Sequence, residues 1–120
     1  MKKPKPDDWA RLMHIRDALT KLTEFVKGLN EQSFIKDEKT LLASLKLIEI
    51  TGEAVYHISD DLKKKYPGVP WQQIEGMRHK LVHDYYDVDS AIVWRVASVF
   101  APQLESQIEK IINDLQNPPE

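Results

Sequence analysis

Twelve consecutive residues, Gly76-Met77-Arg78-His79-Lys80-Leu81-Val82-His83-Asp84-Tyr85-Tyr86-Asp87, gather a guanidinium, two imidazoles, an ammonium, two phenols and two carboxylates. No other segment of the chain is so rich in reactive side chains. Arginine is permanently cationic and presents a planar fork of donors that suits a phosphate, and histidine exchanges a proton near neutral pH. Together they could cleave a phosphodiester without a metal ion.

Helical spacing constrains how these groups could meet. At roughly 100° per residue, the step from Arg78 to His83 turns about 140°, whereas the step from Arg78 to Tyr85 returns to within about 20° of the same face. Arg78, Leu81 and Tyr85 would then share one stripe, and His79 and His83 another. Bringing Arg78 and His83 to one point requires either a helix that loosens after Leu81 or a second copy of the chain. A homodimer is therefore expected, in which two motif helices related by a two-fold axis build one composite cleft.

Arg78, four intervening residues, His83, one residue and Tyr85 form an R-x4-H-x-Y pattern. This pattern resembles the signature of the HEPN superfamily and its HepT-like toxins. Ile50-Thr51-Gly52-Glu53-Ala54 resembles the family's "IGEA" helix, and Tyr66-Pro67-Gly68-Val69-Pro70-Trp71 resembles its "YP-x-x-PW" lead-in to the motif helix. The resemblance runs from about His14 to Leu115. R-x4-H alone is a weak signal, but the three segments in this order make a fairly specific one. The family often carries Asn directly after the arginine, where this chain has His79.

The resemblance implies a metal-independent endoribonuclease, the toxin of a type VII toxin–antitoxin pair. It implies catalytic roles for Arg78 and His83, and it marks Tyr85 as the target of adenylylation by a partner MNT-type nucleotidyltransferase antitoxin. Chemistry agrees with those roles. His83 would act as general base or acid on the RNA 2′-hydroxyl while Arg78 stabilises the charged phosphorane, leaving a 2′,3′-cyclic phosphate. No cofactor is expected. Glu53 and His79 are taken as supporting residues: an acid in an apolar helix is costly to bury unless paired, and Arg78 is its obvious partner.

Composition sets the bounds. The chain has 120 residues, 42% of them hydrophobic, a net charge of −2 and no cysteine. That size suits one globular domain, residues 1–120, with residues 1–6 and 116–120 as flexible tails. Zero cysteines exclude a thiol nucleophile, thiolate metal sites and a disulfide framework, and they suit a reducing cytoplasm. The basic N-terminus runs into Asp7-Asp8 instead of an apolar stretch, which is not the pattern of a signal peptide, and no run is long enough to span a bilayer. The negative charge argues against broad coating of nucleic acid, so RNA contact must use a local patch. Lys63-Lys64-Lys65 is one candidate; a solvated charged face is the plainer reading.

Apolar periodicity supplies the elements. Asp7 or Asp8 can cap a first helix with Leu12, Ile15, Leu19, Leu22, Phe25/Val26 and Leu29 along one stripe, stopped near Gly28. His14 lies beside this stripe and reads as a surface or partly buried histidine. Asp37 can cap a second, central helix carrying Leu41, Leu42, Leu45, Leu47, Ile48, Ile50 and Val55. Gly52 within it lowers helix propensity and so hints at the close approach of another backbone. Asp60 to Tyr66 forms a short charged turn. Pro70 then opens the motif helix, whose stripe is Trp71, Ile74, Met77 and Leu81. Asp89 can cap a last helix running through Ile92/Val93, Val96, Val99/Phe100, Leu104, Ile108, Ile111/Ile112 and Leu115, with Pro102 kinking or dividing it. The expected fold is an all-α, up-and-down, HEPN-like bundle of four long helices plus a short one.

Two other functions fit the same residues. His79 and His83 are spaced i, i+4 near Asp84 and Asp87, which could hold a metal ion, although the usual glutamate between such histidines is missing; two surface histidines are the plainer alternative. Alternatively, the chain is a catalytically inactive HEPN binding module acting through protein partners, in which Arg78 and His83 only hold the bundle or its dimer together.

Overall fold

Asp37 and Asp89 both sit where a helix must start. In the computed structural model, which describes residues 6–80 and 88–118, Asp37 accepts from the Thr40 backbone N–H at 3.1 Å and Asp89 accepts from those of Ala91 and Ile92. Each satisfies donors that the first helical turn leaves orphaned. The helices are α1 (Pro6–Val26), α2 (Glu31–Lys36), α3 (Glu38–Tyr56), α4 (Asp60–Lys65), α5 (Trp71–Lys80), α6 (Ser90–Arg95) and α7 (Ala101–Gln116), with a π-helical turn, Val96–Phe100, joining the last two. Among the described residues there is no strand, so the fold is all-α as expected.

The helix stripes close one core. Leu12, Ile15, Leu19, Leu22 and Val26 of α1 meet Ile48 and Val55 of α3, Ile74 of α5 and Leu104, Ile108 and Ile111 of α7, all of them buried. α1 packs on both α3 and α7, and α3 packs on α5. Gly28 has φ +82°, the left-handed conformation that ends α1 and that side-chain-bearing residues avoid.

Three features depart from the expectation. The first is α2, a second short helix. Asn30 and Ser33 cap it reciprocally, side chain to backbone N–H in both directions, and it delivers Phe34, fully buried, against Trp94 at a ring separation of 5.3 Å. Second, Asp8 does not cap α1. It lies within the first turn, 2% exposed, and accepts from the Ser59 backbone N–H at 2.8 Å and the Ser59 hydroxyl at 2.6 Å. Ser59 in turn caps α4, so one buried carboxylate ties the start of α1 to the start of α4.

The third lies around Pro102. Proline lacks an N–H and clashes with the carbonyl four residues back. The expected helix is divided, as one of the two alternatives had it, into α6 and α7, and the join is a π-helical turn in which the Ala101 N–H bonds back to Val96. Val93, Ala97 and Ala101 are buried, whereas Ile92 and Val99, expected in the core, are 42% and 51% exposed.

The start of α5 is fixed by side chains of the lead-in segment. The Trp71 indole donates to the carbonyls of Lys63 and Tyr66, at 3.2 and 2.9 Å, joining the Tyr66 and Val69 backbone N–H groups that also donate to them. The Tyr66 hydroxyl donates to Asp114 of α7 at 3.1 Å, and Gln107 donates to the Gly68 carbonyl. α5 is thereby anchored to α7 at its start and laid along α3. No helix among the described residues is long and apolar enough to cross a membrane.

Candidate active site

Gly52 decides how closely α5 approaches α3. A Cβ placed on it would lie 3.0 Å from the Cβ of Arg78 and 3.1 Å from the carbonyl oxygen of Ile74. A methyl there would be tighter than ordinary side-chain contacts, which agrees with the close-approach reading of Gly52. The contact sets Arg78 directly over the last turns of α3.

There Arg78 meets two side chains, and a third backs both of them. Its Nη1 donates to Glu53 Oε2 at 2.5 Å, and its guanidinium carbon lies 4.2 Å from the centre of the Tyr56 ring. His57 Nε2 stands 3.2 Å from the other Glu53 oxygen, Oε1, and packs edge-on to Tyr56 with ring centres 5.2 Å apart. Arg78 is 18% exposed, and its Nε is buried with no hydrogen-bond partner among the described residues. A planar cation held at one nitrogen and stacked on one face keeps its charge in a fixed orientation, as the binding of an anion requires.

The pair expected between Arg78 and Glu53 is present. The burial expected of Glu53 is not, because its side chain is 52% exposed. Its carboxyl nonetheless ionises below the usual carboxylate range. The Arg78 hydrogen bond is the largest cause, opposed by partial desolvation and reinforced by the His57 hydrogen bond.

His79 is exposed, with no hydrogen bond or ion pair among the described residues. His83, Tyr85 and Tyr86 lie outside the described residues, as do Asp84 and Asp87 of the alternative metal site. Lys63, from the candidate basic patch, is committed to Glu75 of α5 at 2.5 Å, and Lys65 lies 5.9 Å from the centre of the Tyr66 ring. His14 is exposed on α1. Tyr56 and His57 were not singled out from the sequence. Their signal was available, since positions three and four after Glu53 share its helical face.

The opposite side of α5 is open. Gly76 and Met77 border an apolar groove of about 580 Å³ completed by Ile92, Val96, Val99 and Phe100. Gly76 has no neighbouring atom within 4 Å of where its Cβ would stand. α5 therefore separates a closely packed polar joint from a mainly apolar surface that no described residue fills.

Comparison with known proteins settles the family. The family model described as Ribonuclease HepT-like matches residues 15–111. The chain belongs to the HepT-like ribonuclease family. A protein of Methanocaldococcus jannaschii provisionally named an RNase is 36% identical over 113 residues, spanning 94% of this chain and 97% of the relative. A protein of Caldanaerobacter subterraneus subsp. tengcongensis, also provisionally named an RNase, is 38% identical over 93% of this chain and 96% of its own. One from Thermococcus cleftensis, provisionally named ribonuclease HepT, is 34% identical over 83% of this chain and 91% of its own. No solved structure matches. The matched span of this HepT-like chain includes Glu53, Tyr56, His57 and Arg78, so the joint lies within the shared fold.

Proposed function

We propose that this chain is an endoribonuclease that cleaves RNA without a metal ion and serves as the toxin of a type VII toxin–antitoxin pair. The observation that carries the reading is the placement of Arg78, held over α3 by Glu53 and stacked on Tyr56, in a chain of the HepT-like ribonuclease family. His83 takes the 2′-hydroxyl proton or supplies a proton to the leaving 5′-oxygen. The 2′-oxygen bonds to phosphorus, the bond from phosphorus to the 5′-oxygen breaks, and a 2′,3′-cyclic phosphate remains. Arg78 bears the extra negative charge of the phosphorane, where it is worth more than on the ground-state diester. RNA incubated with the protein and a chelator tests this. Cleavage that persists and yields a cyclic phosphate by mass spectrometry is expected; cleavage lost only in the chelator overturns it.

The same reading includes a homodimer whose second copy occupies the apolar groove beside α5. Exposed Ile92 and Val99 are the kind of surface that a partner covers. It also includes control at Tyr85: an MNT-type nucleotidyltransferase antitoxin would attach AMP to its hydroxyl, placing a phosphodiester where Arg78 would otherwise hold RNA. Intact-mass and peptide spectrometry after co-expression checks this. AMP on Tyr85 is expected, and AMP on Tyr86 alone, or none, refutes it.

A second reading has one observation in its favour. Glu53 already engages Arg78, as in a chain whose arginine only fastens helices together. In that case the protein is an inactive binding module, and purified protein leaves RNA intact.

A further inference from the structure

The geometry points to Tyr56 as a positioning residue for Arg78, one that fixes the plane of the guanidinium during RNA cleavage. This inference rests on the reading of Arg78 as the phosphorane-binding group.

Glu53 alone is an incomplete hold. It meets the guanidinium through one nitrogen and one oxygen, Nη1 to Oε2, not through the two parallel bonds that lock an arginine to a carboxylate. A single bond fixes a distance and leaves the plane free to swing about it. The Tyr56 ring supplies the missing restraint, with the guanidinium carbon 4.2 Å from its centre. Tyr56 is itself steadied by the edge of His57, which also holds the free oxygen of Glu53. The three side chains thus restrain one another as well as Arg78.

Core packing does not account for the ring. Tyr56 is 52% exposed, whereas its α3 neighbours Ala54 and Val55 are buried. A large aromatic left in solvent against a cation is placed to hold that cation. Because Nη1 is taken by Glu53 and one face by Tyr56, the donors left over point in a direction that the bracket sets. A rotated guanidinium would keep its charge but lose its aim. Loss of the ring should therefore slow the chemical step more than it weakens RNA binding.

The test compares full-length wild type with Tyr56→Leu, Tyr56→Phe and Arg78→Ala on a fluorescent single-stranded RNA oligonucleotide, with melting temperature and the Arg78 Nε–H nitrogen NMR signal followed alongside. Tyr56→Leu is expected to lower kcat on the order of tenfold with little change in KM, to leave the melting temperature in place, and to lose the slow-exchanging Nε–H signal. Tyr56→Phe, which keeps the ring, restores most of the rate and the signal. If Arg78→Ala is inactive while Tyr56→Leu matches wild type in rate and signal, the bracket is wrong and the reading of Arg78 survives. If Arg78→Ala still cleaves, that reading fails and the bracket with it. Equal losses in Leu and Phe variants would assign the effect to the hydroxyl and overturn the ring's role. Should Tyr56→Leu melt early, the Phe variant and the NMR signal still decide the matter.

Discussion

α5 has two sides, and they are built on opposite rules. Toward α3, Gly52 removes every atom that could hold the helices apart, and a cation, a carboxylate, an imidazole and an aromatic ring meet within a few ångströms. Toward the π-helical turn, Gly76 has nothing near it, and apolar side chains line a groove that no described residue fills. Close packing serves to aim one side chain, and an unfilled apolar face serves to receive something. A glycine on each side does different work: one permits contact, the other leaves room.

The largest effect expected from breaking this contrast is on activity. Arg78→Ala and His83→Ala should each reduce RNA cleavage by roughly 10²-fold or more, the range seen when one transition-state donor is removed. Neither should unfold the protein. Glu53 is half exposed, so removing Arg78 releases the carboxylate to water and does not strand it in the core. Cleavage assays paired with circular dichroism check both halves, and a folded, fully active His83→Ala protein would contradict the assignment.

The two glycines give the next largest effect, with opposite signs. Gly52→Ala gains helix propensity but drives a methyl into the backbone of α5 and the Cβ of Arg78; overpacking of that kind costs about 1–3 kcal/mol. Gly76→Ala meets no obstacle and should stabilise by up to about 1 kcal/mol. Denaturant melts of the two variants measure the difference. Two shifts of the same sign would mean that the sides of α5 are not distinct.

Much of this arrangement was legible in the sequence because it is local. Asp37, Asp89 and Gly28 act within a turn of their own positions, and the Gly52 approach follows from one weak helix former in a strong helix. The Arg78–Glu53 pair was legible because an acid in an apolar helix calls for a cationic partner. What escaped depends on distance or carries a weak signal. Asp8 looked like a cap until the fold brought Ser59 to it across the chain. α2 is too short to show a period, although Asn30 and Ser33 carried its capping signal. Ala97 and Ala101 continue the buried face from Val93 to Leu104 in helical steps, but alanine marks an apolar stripe weakly and the larger Val96 and Val99 beside them drew the reading. Tyr56 and His57 became recognisable once Arg78 was seen above them.

The groove side offers a test of smaller effect on the single chain. Val99→Asp places a charge on an exposed apolar residue and should leave the fold intact, since Val99 is half in solvent already. In the proposed dimer that charge would be desolvated without a partner, and association should weaken by at least about tenfold. Sedimentation at micromolar concentration reads the outcome. An unchanged dimer would place the interface elsewhere, and a wild-type monomer with full activity would remove the need for one.

The smallest expected effects separate the two sides by pH. At the α3 side, Glu53 has its pKa lowered from 4.5, chiefly by the Arg78 hydrogen bond. The unfolded chain therefore takes up the proton first, and the pair's contribution, complete above about pH 5, fades as the pH falls through the folded value. At the α7 side, burial together with the Asp114 hydrogen bond raises the Tyr66 pKa from 10.0 to about 12. Here the folded state keeps its proton longer. The contribution is complete below pH 10 and is lost as the pH climbs towards 12. Acid should thus loosen the α3 joint while α5 stays anchored to α7, and alkali should do the reverse. Glu53→Gln should flatten the acid limb of a stability profile and leave the alkaline limb unchanged. Tyr66→Phe should do the opposite, because phenylalanine neither titrates nor donates to Asp114. If either substitution moved both limbs together, the two anchors of α5 would not be independent, and the polar joint could no longer be treated as a unit separate from the rest of the bundle.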